Sequence, residues 1–201
     1  MSYRRTLIVD IDGTIADLTG ALGYFIAGKT GRHLSEFTPP RNYDFAEQWG
    51  LSLDEFYAFF GEFGERGYIA KCELYDGVVD ALTKLRGNGL RVIIATARGT
   101  DSRSSETFRW RVKTDTIDWL HRRHVPYDGL HFTSDKQLLG ANYIIEDASF
   151  ALEAARQAGL TAIAFDQDYN KDWQYSRVAH WNEVPDLLHA IRAKESKYDG
   201  K

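Results

Sequence analysis

Two carboxylates, Asp10 and Asp12, stand two positions apart directly after the apolar run Leu7-Ile8-Val9. In an extended chain, residues i and i+2 project to one side, so both acids leave the end of a buried strand together. Such a pair is costly unless a cation or a proton neutralises it. Gly13 then permits a sharp turn, and Thr14 can hydrogen-bond the freed backbone and is a candidate to touch substrate. A strand ending in an ordinary Asp-Gly turn would look the same, so the pair gains meaning from its company. Thr96-Ala97-Arg98 ends a second apolar run. The Thr96 hydroxyl and the Arg98 fork suit a phosphate, and Ala97 between them is counted with the substrate-binding set. Lys136 follows a third run, Leu130-His131-Phe132. It can neutralise a phosphate or a nucleophilic carboxylate, although a lone lysine is usually a surface charge. Glu146 and Asp147 close a fourth run, Tyr143-Ile144-Ile145, and add hard oxygen ligands of the kind Mg2+ prefers.

These groups need a scaffold that brings strand ends together. The four apolar runs, with a fifth at Ala162 to Phe165 and a short edge strand at Arg177 to Trp181, read as strands buried on both faces. Helical stripes lie between them. Val78, Ala81, Leu82 and Leu85 form one, closed by Gly87. A longer helix runs from about Ser104 to His124, another through Ala151 to Ala158, and a last from Asp186 to Ala193. Alternating strands and helices predict a parallel sheet covered on both faces, with reactive groups beyond the carboxyl ends of its strands.

One stretch breaks the alternation. About eighty residues separate the first two strands, far more than a crossover helix needs. Leu18, Leu22, Phe25 and Ile26 make one helical stripe there. Ser52 and Glu55 form a capping box ahead of Phe56, Phe59, Phe60 and Phe63. The expected division is a core of residues 1–17 and 75–201 interrupted by a small helical module over 18–74; extra helices on a single core would fit the same pattern. The chain has 201 residues, 43% hydrophobic and 27% charged, which excludes disordered and fibrous classes. No run approaches the roughly 20 apolar residues of a membrane span. The basic start, Met1 to Arg5, lacks the apolar core of a signal peptide. Cys72 is the sole cysteine, so no intrachain disulfide can form and a thiolate zinc cluster is excluded. The expectation is a soluble, cytoplasmic protein without membrane partners, a monomer or a homodimer.

Asp/Asp, Thr, Lys and Glu/Asp, in that order at successive strand ends, resemble the haloacid dehalogenase (HAD) superfamily of phosphatases over roughly residues 5–165. The insertion looks like that superfamily's helical cap. The chain is more closely similar to the 5'(3')-deoxyribonucleotidase branch in Asp10-Ile11-Asp12-Gly13-Thr14-Ile15-Ala16-Asp17, in Asn42 to Gly50, and in Phe165-Asp166-Gln167-Asp168-Tyr169-Asn170. Two positions depart from that branch. Leu18 stands where the mammalian enzymes carry a base-stacking aromatic, and Glu146 replaces the first of the usual paired aspartates. The resemblance implies a Rossmann-like core and hydrolysis of a small phosphorylated substrate, a (deoxy)nucleoside monophosphate. Asp10 would be the nucleophile forming an aspartyl-phosphate, and Asp12 the acid and then the base. Thr96 and Lys136 would hold the non-transferring oxygens. Mg2+ would be held by Asp10, Asp12 through its carbonyl, and Asp147, with Glu146 in support.

The inserted stretch is rich in aromatics. The phenylalanines at helical spacing are most simply its own core, whereas Tyr43, Phe45 and Trp49, in a loop-like segment, are candidates to touch a nucleobase. Residues 91–124 hold eight bases and four acids, and residues 17–75 hold nine acids and five bases. A basic face beside an acidic one suits a small anion in a cleft; solvated helix faces of mixed sign would fit equally. The arginines at 98, 103, 109 and 111 keep open a polynucleotide 3'-phosphatase acting on nucleic-acid ends. The same motifs would also suit a HAD phosphatase for another small metabolite or, more remotely, a non-catalytic nucleotide-binding module. His121 and His124 read as surface residues.

Overall fold

The computed structural model describes residues 5–198, with side chains through residue 195; Met1 to Arg4 and residues 199–201 lie outside it. Six strands form one parallel sheet: β1 (Thr6–Val9), β4 (Arg91–Thr96), β5 (Gly129–Phe132), β6 (Tyr143–Glu146), β7 (Thr161–Phe165) and β8 (Arg177–Val178), in the spatial order β5-β4-β1-β6-β7-β8. β1 lies at the centre, with Ile8 in register with Ile93 on one side and Ile144 on the other. Its residues are buried throughout, which is why a central parallel strand reads as a continuous apolar run. Alternation sorts the two faces. Leu7, Val9, Val92, Ile94, Ile145 and Ile163 belong to the larger core. Ile8, Ala95, Ile144, Ala162 and Ala164 pack the other face, where small residues meet Leu152 and Ala155.

The helices follow the expected plan. α3 (Val78–Gly87), α4 (Glu106–Arg122) and α6 (Val184–Tyr198) cover the larger face, and α5 (Ser149–Gln157) covers the other. Ser105 caps α4 by accepting from the Phe108 amide at 3.2 Å. The inserted stretch contains α1 (Leu18–Thr30) and α2 (Leu53–Glu65). Asp17 caps α1 through the Gly20 amide at 2.8 Å. The Ser52–Glu55 capping box opens α2 as its sequence predicts. Two strands of two residues each, β2 (Ala16–Asp17) and β3 (Glu73–Leu74), pair antiparallel and gather both ends of the stretch. Phe25, Phe63 and Tyr68 pack as a ring cluster inside it. This packing is continuous with the main core, since Leu22, Phe25, Trp49 and Phe63 join the same cluster as Leu7 and Val9.

Candidate active site

The predicted residues converge where β1, β4 and β6 end. Asp10 is the first residue past β1, and its amide donates to the Ile145 carbonyl at 3.1 Å, which holds it alongside β6. The chain then folds tightly: the amides of Thr14, Ile15 and Ala16 all converge on the Ile11 carbonyl. Gly13 sits inside that turn with φ +74°, a conformation L side chains resist. A Cβ there would stand 2.4 Å from Asp147 Oδ2 and 2.7 Å from the Tyr169 hydroxyl, so only glycine lets the first and fourth strand ends approach so closely. Lys136 opens a short 3-10 turn, Lys136–Leu139, and reaches back to the strand ends. Its Nζ donates to Asp10 Oδ1 and to Glu146 Oε2, each at 2.5 Å. The other Glu146 oxygen accepts the amides of Asp147 and Ala148, both at 3.1 Å. Asp147 accepts from Thr14 Oγ1 at 3.1 Å and from the Tyr169 hydroxyl.

Asp10, Glu146 and Asp147 each bring a carboxylate oxygen within 4.8 Å of the others, and all three are buried. Burial first, and then the charge of Glu146, pushes Asp10 from 3.8 up to about 7 despite Lys136 beside it. Burial and the charges of Glu146 and Asp10 likewise raise Asp147 well above the usual carboxylate range. Burial works against the charge of Lys136, yet Asp10 and Glu146 outweigh it and hold the lysine above its ordinary value. Four carboxylates, counting Asp12, face two cations, Lys136 and Arg98. When all are ionised the residual charge of −2 is what one divalent cation would neutralise, and the donors are the hard oxygens that Mg2+ takes. Asp10, Glu146 and Asp147 therefore fit such an ion.

Several side chains go elsewhere than expected. Arg98 does not present its fork to solvent for a phosphate: Nε and Nη2 hold both oxygens of Asp12 at 2.5–3.1 Å, and the guanidinium lies 5.3 Å over the Trp119 ring. Thr14 is fully buried, and its hydroxyl serves Asp147 rather than the turn backbone or a substrate. Thr96 is buried and accepts from the Arg98 amide at 3.2 Å, leaving its own hydroxyl proton to donate. Ala97 is exposed beside it. Trp49 is 1% exposed, donates its indole N–H to the Thr38 carbonyl and packs between Phe37 and Phe45. It is core, not a stacking platform, because the short turn Glu47–Trp49 points it inward.

A cleft of about 400 Å³ opens beside Asp12, Gly13 and Asp147. Tyr43 and Phe45 line it. Leu22, Phe56 and Phe60, whose helical spacing reads most simply as core, join them together with Tyr57. The arginines at 103, 109 and 111 are not gathered there: Arg103 pairs with Asp101, Arg109 binds the carbonyls of Ser102 and Ser104, and Arg111 lies 3.9 Å from Asp115. His121 and His124 are not buried. No helix among the described residues is long and apolar enough to cross a membrane.

Residues 4–196 match the family described as 5' nucleotidase, deoxy (pyrimidine), cytosolic type C. A protein of Chlorobaculum tepidum named as a candidate 5'(3')-deoxyribonucleotidase is 27% identical over 185 residues, 91% of this chain and 89% of that one. Among solved structures, a haloacid dehalogenase-like hydrolase of Streptococcus pneumoniae superposes with TM-score 0.58 at 18% identity, covering 94% of this chain and all of the other. A predicted phosphatase of Clostridium acetobutylicum reaches 0.61 at 16% identity with the same coverage. The fold is HAD-like. The chain belongs to the deoxy-pyrimidine 5'-nucleotidase family and is a nucleotidase-like HAD phosphatase.

Proposed function

From that membership we propose that the protein is a cytoplasmic, Mg2+-dependent phosphomonoesterase that hydrolyses (deoxy)nucleoside monophosphates through an aspartyl-phosphate on Asp10. The observation that carries the reading is the convergence of Asp10, Lys136, Glu146 and Asp147 from the segments that close or follow β1, β5 and β6 on one buried point. Lys136 occupies Asp10 Oδ1, which leaves Oδ2 to attack phosphorus. The bond from phosphorus to the ester oxygen breaks, and that oxygen takes a proton from Asp12. Water then attacks phosphorus, gives its proton to Asp12, and frees Asp10 and inorganic phosphate. Phosphoryl transfer of this kind asks mainly for in-line placement and compensation of charge. Lys136 and the Thr96 hydroxyl supply donors for the non-transferring oxygens. When bound by Asp10, Asp147 and the Asp12 carbonyl, with Glu146 in support, Mg2+ would offset charge on the transferring group.

Residues 18–74 act in this reading as a cap. The β2–β3 pair is its neck, and Phe45, Phe56 and Phe60 wall the cleft next to Asp12, an apolar seat for a nucleoside while its phosphate meets Asp10. The test is a panel of deoxynucleotides and ribonucleotides with 5'- or 3'-phosphates, sugar phosphates and a 3'-phosphorylated oligonucleotide. Faster turnover of mononucleotides is expected; comparable rates on every member would remove the nucleotidase reading. Asp10→Asn should abolish turnover and keep the fold, and turnover in that variant would end the covalent mechanism.

A further inference from the structure

The turn Asp168–Asn170 after β7 is tied to the site from several sides. Asn170 Nδ2 donates to the carbonyls of Asp147 at 2.8 Å and Phe165 at 2.9 Å. Its Oδ1 accepts from the Gln167 amide and from Arg177, both at 3.1 Å. Gln167 Nε2 donates to the Gly13 carbonyl at 2.7 Å. The backbone that carries Tyr169 is therefore fixed against both the Gly13 turn and Asp147. From this mount the Tyr169 hydroxyl donates to Asp147 Oδ2, opposite the Thr14 bond to Oδ1. Each carboxylate oxygen keeps a further lone pair for another partner. The Tyr169 ring meets Tyr43 edge-on, with centroids 5.9 Å apart at 84°, and Tyr43 meets Phe150 at 5.2 Å and 89°. Tyr43 belongs to residues 18–74, and Phe150 lies in the first turn of α5 just past Asp147. Tyr43, Tyr169 and Asp147 all line the cleft.

Resting on the reading that Asp147 holds Mg2+, we propose that Tyr169 is a positioning residue with two separable duties: its hydroxyl aims the Asp147 carboxylate at the metal, and its ring is the edge on which Tyr43 seats over the cleft. A phenol ordinarily keeps its proton at neutral pH, and with Asp147 Oδ2 as acceptor the Tyr169 hydroxyl can only be the donor of this bond. A partner that orients a metal ligand typically governs affinity by about 10- to 100-fold. Ring contacts of this geometry instead contribute modestly to apolar packing.

Tyr169→Phe removes only the hydroxyl. Titrated calorimetrically with Mg2+ alone, it should bind about tenfold more weakly than wild type, while KM for a deoxynucleoside monophosphate at saturating Mg2+ stays within about twofold. Tyr169→Leu removes the ring as well and should raise KM in addition; Tyr43→Leu tests the ring contact from the other side and should raise KM without altering Mg2+ affinity. A Tyr169→Phe variant that binds Mg2+ as wild type does overturns the first duty. Unchanged KM in both leucine variants overturns the second, and if Tyr169→Leu does not fold, Tyr43→Leu alone decides it. Wild type that binds no Mg2+ would instead overturn the metal reading on which both duties rest.

Discussion

Gly13→Ala is the smallest change that tests whether the site works as a close-packed unit. The new methyl would stand 2.4 Å from Asp147 Oδ2, 2.8 Å from its Cγ and 2.7 Å from the Tyr169 hydroxyl. Ordinary contact begins near 3.4 Å, so the carboxylate must retreat by about 1 Å. Two costs add. Holding alanine at φ +74° costs roughly 1–2 kcal/mol relative to glycine, and displacing packed, hydrogen-bonded groups adds about 1–3 kcal/mol. Stability in a chelator should therefore fall by about 2–5 kcal/mol, measured by urea unfolding. Activity should fall further, because misplacing a reacting constellation by about 1 Å is worth on the order of 100-fold. Displacing Asp147 disturbs the grouping of its carboxylate oxygen with those of Asp10 and Glu146, so Mg2+ affinity should drop about tenfold or more. Steady-state kinetics with titrated Mg2+ reads both effects. A folded Gly13→Ala protein with wild-type Mg2+ affinity and kcat/KM would refute the reasoning, since it would mean that Asp147 need not be where the turn holds it.

Charge and packing lead to further expected outcomes. Because Asp10 is raised from 3.8 to about 7 in the metal-free protein, its contribution to stability is full below about pH 4 and lost as pH rises through 7. Asp147, raised by burial and by the same neighbouring charges, acts in the same direction. Mg2+ should therefore raise the melting temperature more at pH 8 than at pH 5; equal shifts at the two would refute this. Phe56→Ala, which opens the cleft wall without touching the carboxylates, should raise KM for nucleoside monophosphates about tenfold and leave a small sugar phosphate unaffected. Arg98→Lys loses the two-point grip on Asp12. It should slow nucleoside monophosphates, whose leaving oxygen needs a proton, more than 4-nitrophenyl phosphate, whose leaving group does not; equal slowing would mean that Arg98 does not act through Asp12.

What could be read along the chain and what could not divides by the range of the interaction. The five apolar runs became β1, β4, β5, β6 and β7. Those of β1, β4, β6 and β7 lie inside the sheet, where parallel strands are buried on both faces; β5, expected to be buried likewise, is an edge strand, partly buried with His131 exposed. Asp10, Lys136, Glu146 and Asp147 were legible for the same reason: each follows such a run, and the topology of a parallel sheet brings the strand ends to one rim. The Ser52–Glu55 cap was legible because its bonds span three residues. β2 and β3 were not, since two residues carry no periodicity and their pairing joins Ala16 to Leu74. Arg98 and Trp49 misled because a residue type states what a side chain can bind, whereas its partner is chosen in space. The fork of Arg98 meets Asp12 across 86 positions, and the Trp49 indole is turned inward by a short turn. The hydroxyl of Tyr169 reaches Asp147 only once a turn beyond β7 has folded back on the Gly13 loop. Local pattern thus specified the kind of chemistry and the strand ends that bear it. Which oxygen each cation grips, and which rings face the cleft, followed from contacts between segments that only packing brings within a few ångströms.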